Sequence, residues 1–385
     1  KTAYEMLRSL VGSEMCIRDR NMINVWSYLK EYENEKEEIL KAIIKVLESG
    51  QLILGPNVSE FESEFSKYCG QKFGIGVANG TDAIFLALKA LSIGEDDEVI
   101  TVSNTAVPTV SAITATGARA VFVDINPLTY LMDVEQIKSK ITNKTKVIIA
   151  VHLYGQCVDM NLVNKIAHDF NLKVIEDCAQ SHGAKFKGNQ AGSFSDISTF
   201  SFYPTKILGT FGDGGLCATS SSKLESKLRK LRFYGMEKSY YSLEQGYNSR
   251  LDELHAAILL KKLKHLDEYV ARRREIASRY NSELGGTSLI LPHEDVDCEH
   301  AYYAYVVRHS ERDKIIRELT EKGINVNISY PWPIHTMPAF DYLGFAEGSL
   351  PESEKAATEI FSLPMYPTLS DSEQEEVVNI LKSIV

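Results

Sequence analysis

The sequence predicts an α/β protein in which a large, doubly wound and mostly parallel sheet is joined to a smaller C-terminal α+β domain. Three observations support this prediction. The chain has 385 residues, which is long enough for two domains. From residue 31 onward, segments with helical periodicity alternate with short apolar segments. Those apolar segments are continuous rather than alternating, as expected for strands that helices cover on both faces.

The first half of the chain supplies most of this alternation. An amphipathic helix is predicted at 31–47, where the apolar stripe consists of Ile39, Leu40, Ile43, Ile44 and Leu47. Further helices are predicted at 81–91, 108–116, 134–140 and 162–170. Strands are predicted at 73–78, 98–102, 120–124, 146–151 and 173–177. Sheets of this type bind ligands beyond the carboxyl ends of their strands.

The second half completes the sheet and adds the smaller domain. Strands are predicted at 197–202 and 215–219, followed by a long charged helix at 251–284. A strand at 301–307, a helix at 313–322, a strand at 324–328 and a terminal helix from Ser372 form the predicted α+β unit. We therefore place the large domain at 22–264 and the small domain at 265–385.

Residues 1–21 are interpreted as a non-native extension. The segment Val11-Gly12-Ser13-Glu14-Met15-Cys16-Ile17-Arg18-Asp19-Arg20 resembles a translated sequencing-adapter segment and lacks the apolar core of a signal peptide. Met22 is then the natural start. A genuine extension of the protein is the alternative.

Composition excludes several classes of function. A formal net charge of -10 and a pI near 5.5 argue against general binding to nucleic acid or to an anionic membrane. The six cysteines are scattered and form no C-x-x-C pair, which favours a reducing cytoplasm and argues against structural zinc. No apolar run approaches the roughly 20 residues that a membrane span needs. We expect a soluble cytoplasmic protein without a metal, and an anionic small substrate stays possible.

Three separated motifs in the predicted large domain have a common chemical meaning. Lys206 lies within the segment 201–215, Asp177 ends a predicted strand, and Gly80-Thr81 opens a predicted helix. A lysine amine binds an aldehyde, a buried carboxylate holds a proton on a pyridine nitrogen, and free amides at a helix start bind phosphate. Together they predict a site for pyridoxal 5'-phosphate. Singly, each would be explained by a surface lysine, a turn aspartate or an ordinary helix cap.

From Met22 to Val385 the chain resembles the DegT/DnrJ/EryC1/StrS aminotransferases, the sugar aminotransferases among the fold type I pyridoxal-phosphate enzymes. The motifs that carry the resemblance are Gly80 to Ala83, Glu176 to Gly183, Phe200 to Lys206 with Gly212 to Gly215, and Tyr247 to Leu254. The resemblance implies a fold type I transferase. Some relatives carry histidine at the position of Lys206 and act as dehydratases, so lysine favours amino transfer.

The resemblance also implies a role for each matching residue. Lys206 would be the catalytic lysine and Asp177 the partner of the pyridine nitrogen. The remaining cofactor contacts would come from Gly80, Thr81, Asp82, Gln180, Ser201 and Asn248. The family places the residue matching Asn248 at the phosphate of the neighbouring subunit, so a homodimer with shared active sites is expected. A structural and a functional role for His182 both stay open.

The substrates are expected by resemblance to be glutamate as amino donor and a nucleotide-linked keto sugar as acceptor. The segment Ser103 to Thr109 is similar to the branch acting at C3 of dTDP-3-keto-6-deoxyhexoses. Tyr330 and His335 lie in a loop similar to a substrate-side segment of that branch, although a proline-stiffened packing loop explains them as well. The alternatives are an aminotransferase for a C4-keto sugar and a non-catalytic regulatory protein that retains the fold. One sequence does not identify the hexose epimer.

Overall fold

The structure is a computed structural model that describes residues 22–385. The predicted non-native extension, 1–21, lies outside the described residues. Of the part that the structure describes, no helix combines the length and the apolar composition that crossing a membrane requires.

Helices and strands alternate along the described chain as the sequence predicts. The helices are α1 (Leu29–Ser49), α2 (Pro56–Tyr68), α3 (Gly80–Ala90), α4 (Val107–Ala115), α5 (Ile137–Lys140), α6 (Met160–Asp169), α7 (Ser222–Leu231), α8 (Glu253–Lys262), α9 (Leu266–Leu284), α10 (Arg312–Glu321), α11 (Pro351–Glu359) and α12 (Asp371–Lys382). The strands are β1 (Phe73–Val77), β2 (Glu98–Val102), β3 (Arg119–Val123), β4 (Thr145–Val151), β5 (Lys173–Asp177), β6 (Lys185–Phe186), β7 (Asn189–Gln190), β8 (Ile197–Ser201), β9 (Gly215–Thr219), β10 (Met236–Lys238), β11 (Tyr241–Ser242), β12 (Cys298–Glu299), β13 (Tyr305–Arg308) and β14 (Ile360–Leu363).

The large sheet has seven strands in the order β1-β9-β8-β5-β4-β2-β3. Strand β9 is antiparallel to both of its neighbours, and the other pairs are parallel. The predicted mostly parallel sheet is therefore confirmed. The reversed direction of β9 was not predicted, because an apolar run looks the same in either direction.

Three strand ends meet at one edge of this sheet. Strands β1, β5 and β8 run in the same direction and end at Val77, Asp177 and Ser201. Gly215 opens β9 and pairs with both Val77 and Ser201, so it lies between the ends of β1 and β8. This edge gathers the segments that carry the predicted site.

The predicted helix at 251–284 is interrupted. Helix α8 ends at Lys262, a single 3-10 turn spans Leu263–His265, and α9 follows. The interruption does not coincide with a change of core, because Leu266 and Tyr269 at the start of α9 still pack into the core around the large sheet. Leu259 of α8 packs into the core around the large sheet, whereas Ile276 and Tyr280 of α9 pack into a second core.

The C-terminal part has its own core, built from α9, the antiparallel pair β13–β14, α10 and α12. The predicted strand at 324–328 does not form. Its residues make only single bridges, from Ile324 to Ile23 and from Asn327 to Ser362, because the segment touches two different neighbours instead of following one strand. The domain boundary at 264/265 falls within the 3-10 turn and stays a prediction.

Gly215 should be intolerant of any side chain. A Cβ atom there would lie 2.3 Å from the carbonyl oxygen of Asn79, which is backbone and has little room to move. We expect Gly215→Ala to lower the free energy of unfolding by roughly 1–3 kcal/mol, as overpacking of a close contact does. Chemical denaturation measures the change. Gly94→Ala is the matched control, because its nearest neighbouring atom would be 3.8 Å away; equal losses in the two variants would contradict the packing account.

Candidate active site

Asp177 lies at the end of β5 with its carboxylate buried. Its Oδ1 accepts a hydrogen bond from the Ala179 amide at 3.2 Å, and its Oδ2 accepts one from the Thr109 hydroxyl at 2.9 Å. Burial raises the pKa of the Asp177 carboxyl above its ordinary value, while these two donors and the nearby Lys206 charge act in the opposite direction. The carboxylate is thus held in a dry position by a few specific partners.

Lys206 lies in the turn that follows β8. Its amide donates to the Tyr203 carbonyl at 2.8 Å, and its Nζ lies 4.7 Å from the centroid of the Tyr303 ring. The turn is tightly wound, since a Cβ atom at Gly209 would lie 2.7 Å from the carbonyl oxygen of Pro204. An ammonium over an aromatic face is attracted by the ring, which directs the lysine toward the site.

The start of α3 forms a small cradle beside Ser201. Asn79 caps the helix, and its side-chain oxygen accepts a hydrogen bond from the Asp82 amide at 2.8 Å. The amides of Gly80 and Thr81 have no carbonyl partner within the helix, so they can serve an anion. A Cβ atom at Gly80 would lie 2.7 Å from the Cβ of Ser201, so only glycine allows this approach.

Gln180 connects two tyrosines from distant segments. Its Oε1 accepts a hydrogen bond from the Tyr154 amide at 2.7 Å, and its Nε2 donates to the Tyr330 hydroxyl at 2.6 Å. The two tyrosine rings stack with centroids 6.4 Å apart. Both residues have a positive φ, 60° at Tyr154 and 66° at Tyr330, a strained conformation for a non-glycine residue that functional sites often retain.

His335 lies in the 3-10 turn Ile334–Thr336, between the segment after β2 and helix α11. Its Nδ1 is 2.7 Å from the Ser103 hydroxyl, and its Nε2 is 2.9 Å from a Glu354 carboxylate oxygen. Both ring nitrogens are engaged within the fold, so a substrate contact would require one of these bonds to be exchanged. The predicted substrate role of His335 stays a prediction.

His182 packs among aromatic rings. The ring centroids of Phe65, Phe200 and Phe202 lie 6.1, 5.8 and 5.7 Å from that of His182. Burial, reinforced by the charge of Lys206, lowers the pKa of His182 to about 3. The imidazole is therefore neutral at physiological pH, which favours the structural interpretation.

A buried pair, His152 and Glu176, links the end of β4 to the end of β5. His152 Nε2 lies 3.0 Å from Glu176 Oε1, and the Glu176 carboxylate also accepts the amides of Gly192 and Phe194 at 2.8 and 2.9 Å. The Cys178 thiol lies close by, and burial raises its pKa well above the usual range. The carboxylate already has three donors, so we interpret the group as structural.

Asn248 is exposed, and its backbone pairs with Phe233 beside the hairpin β10–β11. Within the described chain no hydrogen bond links its side chain to Asp177, Gln180 or Lys206. The predicted contact of Asn248 with a cofactor phosphate therefore stays a prediction.

A cleft of about 320 Å³ opens beside the lysine turn. Its polar and aromatic lining consists of Asn24, Trp26, Thr205, Tyr303, Asn325, Asn327, Ser329 and Ser362. None of the residues that line the cleft is charged. A larger groove of about 930 Å³ runs between α1, α2 and α8. None of the predicted site residues lines either cavity, but Thr205 and Tyr303 of the smaller cleft are the chain neighbour and the ring partner of Lys206.

Known proteins share this arrangement over nearly the whole chain. The sequence profile of the DegT/DnrJ/EryC1/StrS aminotransferase family matches residues 33–382. This chain belongs to that family. The fold type I prediction is thereby confirmed, together with the resemblance on which it rested.

Two curated relatives and one solved structure show how close the similarity is. A dTDP-3-amino-3,4,6-trideoxy-alpha-D-glucose transaminase from Micromonospora megalomicea subsp. nigra is 51% identical over 94% of this chain and 98% of its own. A pleiotropic regulatory protein from Geobacillus stearothermophilus is 44% identical over 91% of this chain and 95% of its own. The crystal structure of DesV from S. venezuelae in complex with a ketimine intermediate is 38% identical, with a TM-score of 0.92, 94% of this chain covered and 97% of that one.

The residues at the sheet edge fit pyridoxal 5'-phosphate. The cradle at Gly80 and Ser201 would be filled by any larger side chain at residue 80, and it leaves two helix amides for a phosphate. A buried carboxylate, Asp177, is available for the ring nitrogen, and Lys206 for the aldehyde. These donor types match the three polar ends of the cofactor.

Three site residues were missed by sequence reasoning. Thr109 reaches Asp177 from α4, Tyr154 contacts Gln180, and Tyr303 lies under Lys206. A threonine in a helix and tyrosines in loops are ordinary residues locally. Only the tertiary fold brings them to the site. The resemblance of Ser103 to Thr109 indicated the segment that contains Thr109 but gave that residue no role.

Proposed function

We propose that this protein transfers the amino group of glutamate to C3 of a dTDP-linked 3-keto-6-deoxyhexose. Its family and its site residues both indicate a pyridoxal-phosphate-dependent aminotransferase. One observation carries the proposal most directly. Lys206 lies near the buried Asp177 carboxylate, since its charge acts to lower the pKa of that carboxyl, at the sheet edge where the Gly80–Ser201 cradle lies.

Each residue has a defined task in this reaction. Bound pyridoxal 5'-phosphate supplies an electron sink for the carbon that loses a proton. The Asp177 carboxylate would hold a proton on the pyridine nitrogen, because a buried anion stabilises an adjacent cation. The amides of Gly80 and Thr81 with the Ser201 hydroxyl would bind the phosphate, and Gln180 would orient the ring from the side of Tyr154 and Tyr330.

Lys206 would act as the base. Its Nζ is the amine that can take a proton from the substrate carbon and return it elsewhere once the substrate amine has displaced it. The Tyr303 ring below it confines the amine to one side of the turn. Histidine in this place could not form the covalent bond to the cofactor, so lysine supports transfer over dehydration.

The cleft beside Lys206 supports a sugar acceptor. Sugars are bound through amide and hydroxyl groups and through aromatic faces, and the lining offers both. The absence of charged residues from that lining suits an uncharged hexose ring better than the diphosphate of a nucleotide sugar. The 51% identical transaminase acts on a dTDP-3-amino sugar by name, which favours C3 and dTDP.

The decisive test is direct. The protein is incubated with pyridoxal 5'-phosphate, nitrogen-15 glutamate and either the 3-keto or the 4-keto isomer of a dTDP-6-deoxyhexose, and the products are identified by mass spectrometry. We expect labelled amino sugar from the 3-keto isomer and none with Lys206→Ala. Labelled product from the 4-keto isomer alone would overturn the assignment to C3.

A regulatory function is the second candidate, because a relative 44% identical is named a pleiotropic regulatory protein. The same experiment separates the two. A protein that binds pyridoxal 5'-phosphate, as judged by its absorbance, but labels neither isomer would fit the regulatory candidate.

We also propose that the active unit is a homodimer. The hairpin β10–β11 and its flanks carry aromatic side chains that one chain leaves exposed, with Tyr240 at 94% and Tyr241 at 60% exposure. Asn248 lies next to this hairpin and is exposed too. Exposed aromatic side chains grouped in this way are typical of a protein interface. Asn248 would then donate to the phosphate in the partner's site.

Hybrid dimers test this shared site. Lys206→Ala and Asn248→Ala each impair a homodimer, but in a hybrid one site receives both changes and the other receives neither. We therefore expect activity to recover after the two variants are mixed and their subunits exchange. Native mass spectrometry verifies that hybrids have formed. If hybrids are present and activity never exceeds that of the parents, each site is built from one chain.

A further inference from the structure

Two buried threonines, Thr109 and Thr105, form a chain of hydroxyl contacts that ends at the Asp177 carboxylate. Thr109 Oγ1 lies 2.9 Å from Asp177 Oδ2, and Thr105 Oγ1 lies 3.0 Å from Thr109 Oγ1. Both side chains are buried, with 1% exposure each, so water does not compete for these contacts. Both lie in the segment Ser103 to Thr109, to whose threonines the sequence assigned no role at the site.

Two backbone turns bring Thr105 and Thr109 close together. The Thr109 amide bonds to the Ala106 carbonyl at 3.1 Å, and the Thr105 amide bonds to the Ser103 carbonyl at 3.1 Å. These turns form the entry to α4, with Pro108 in its first turn and exposed. Thr109 is the next residue and faces inward to β5.

The hydrogen bonds have a fixed direction when Asp177 is ionised. A carboxylate can only accept, so Thr109 must donate its proton to Asp177. The oxygen of Thr109 is then free to accept from Thr105, which gives a chain from Thr105 to Thr109 to Asp177. A hydrogen bond donated to an anion is stronger than a hydrogen bond between neutral groups. The bond from Thr105 also polarises the Thr109 hydroxyl and so strengthens its bond to Asp177.

We propose that Thr109, supported by Thr105, is a positioning residue that keeps the proton shared by Asp177 and the cofactor on the pyridine nitrogen. A carboxylate that accepts a hydrogen bond is less basic, so it leaves the proton on the nitrogen. Without the Thr109 hydroxyl the carboxylate takes more of that proton, and the electron sink weakens. Lys206 and His152 are the other titratable groups that act on Asp177. The inference rests on the assignment of Asp177 to the pyridine nitrogen.

The test measures directly whether the pyridine nitrogen is protonated. Pyridoxal 5'-phosphate labelled with nitrogen-15 in its ring is bound to the protein without substrate, and the ring-nitrogen resonance is recorded. With Thr109→Val, which keeps the shape and removes the hydroxyl, we expect the resonance to shift toward that of an unprotonated pyridine and turnover to fall roughly tenfold to a hundredfold. Thr109→Ser restores the hydroxyl and should restore both readouts.

Two further variants make the result specific. Thr105→Val removes only the second donor and should shift the resonance in the same direction by less, which keeps the proposal testable if Thr109→Val does not fold. Thr101→Val is the control, because the Thr101 hydroxyl is also buried but donates to the Ile149 carbonyl at 3.2 Å; it should leave the resonance unchanged.

The outcomes separate this inference from the function on which it rests. A protonated ring nitrogen in the unaltered protein that does not respond to Thr109→Val or Thr105→Val would overturn the role of the threonines alone. A ring nitrogen that is unprotonated in the unaltered protein would overturn the role of Asp177 and this inference together. If packing were the cause, Thr109→Ser, which loses a methyl group, would resemble Thr109→Val.

Discussion

A carboxylate buried at the end of a parallel strand is the constraint on which the rest of this site depends. Burial makes the Asp177 anion costly, and the fold supplies the Ala179 amide, the Thr109 hydroxyl and the Lys206 charge to offset that cost. Each partner comes from a different segment, so the carboxylate holds its position only if the sheet, α4 and the lysine turn are all in place. Because the buried anion needs these polar partners, polar groups gather at the site although the surrounding core is apolar.

The second constraint is close backbone approach. Strand β9 runs between β1 and β8 in the opposite direction, and its first residue, Gly215, pairs with the ends of both. Without side chains at Gly215 and Gly80, the Asn79 cap and Ser201 come close enough to form one anion cradle. The single antiparallel strand thus has a direct consequence for the site, because it joins the start of α3 to the end of β8.

Sequence reasoning succeeded where a motif is continuous. Asp177 at a predicted strand end, Lys206 in its turn and Gly80 at a predicted helix start all lie at the same sheet edge. It failed where the information is tertiary. Thr109 and Tyr303 contact the site across the fold, α9 passes from one core into a second, and Ile324 forms a bridge to Ile23 instead of a strand.

The most direct measurement of the central claim replaces the buried anion by a neutral side chain of nearly the same shape. Asp177→Asn should fold and bind pyridoxal 5'-phosphate, because the amide has nearly the shape of the carboxylate. Its oxygen can still accept from the Ala179 amide, and its NH2 group can donate to the Thr109 oxygen, which reverses the direction of that bond. Its turnover should fall by about 10²–10⁴-fold, since an amide does not hold a proton on the pyridine nitrogen. Single-turnover kinetics with glutamate would show it. A rate within a few-fold of the unaltered protein would contradict the account.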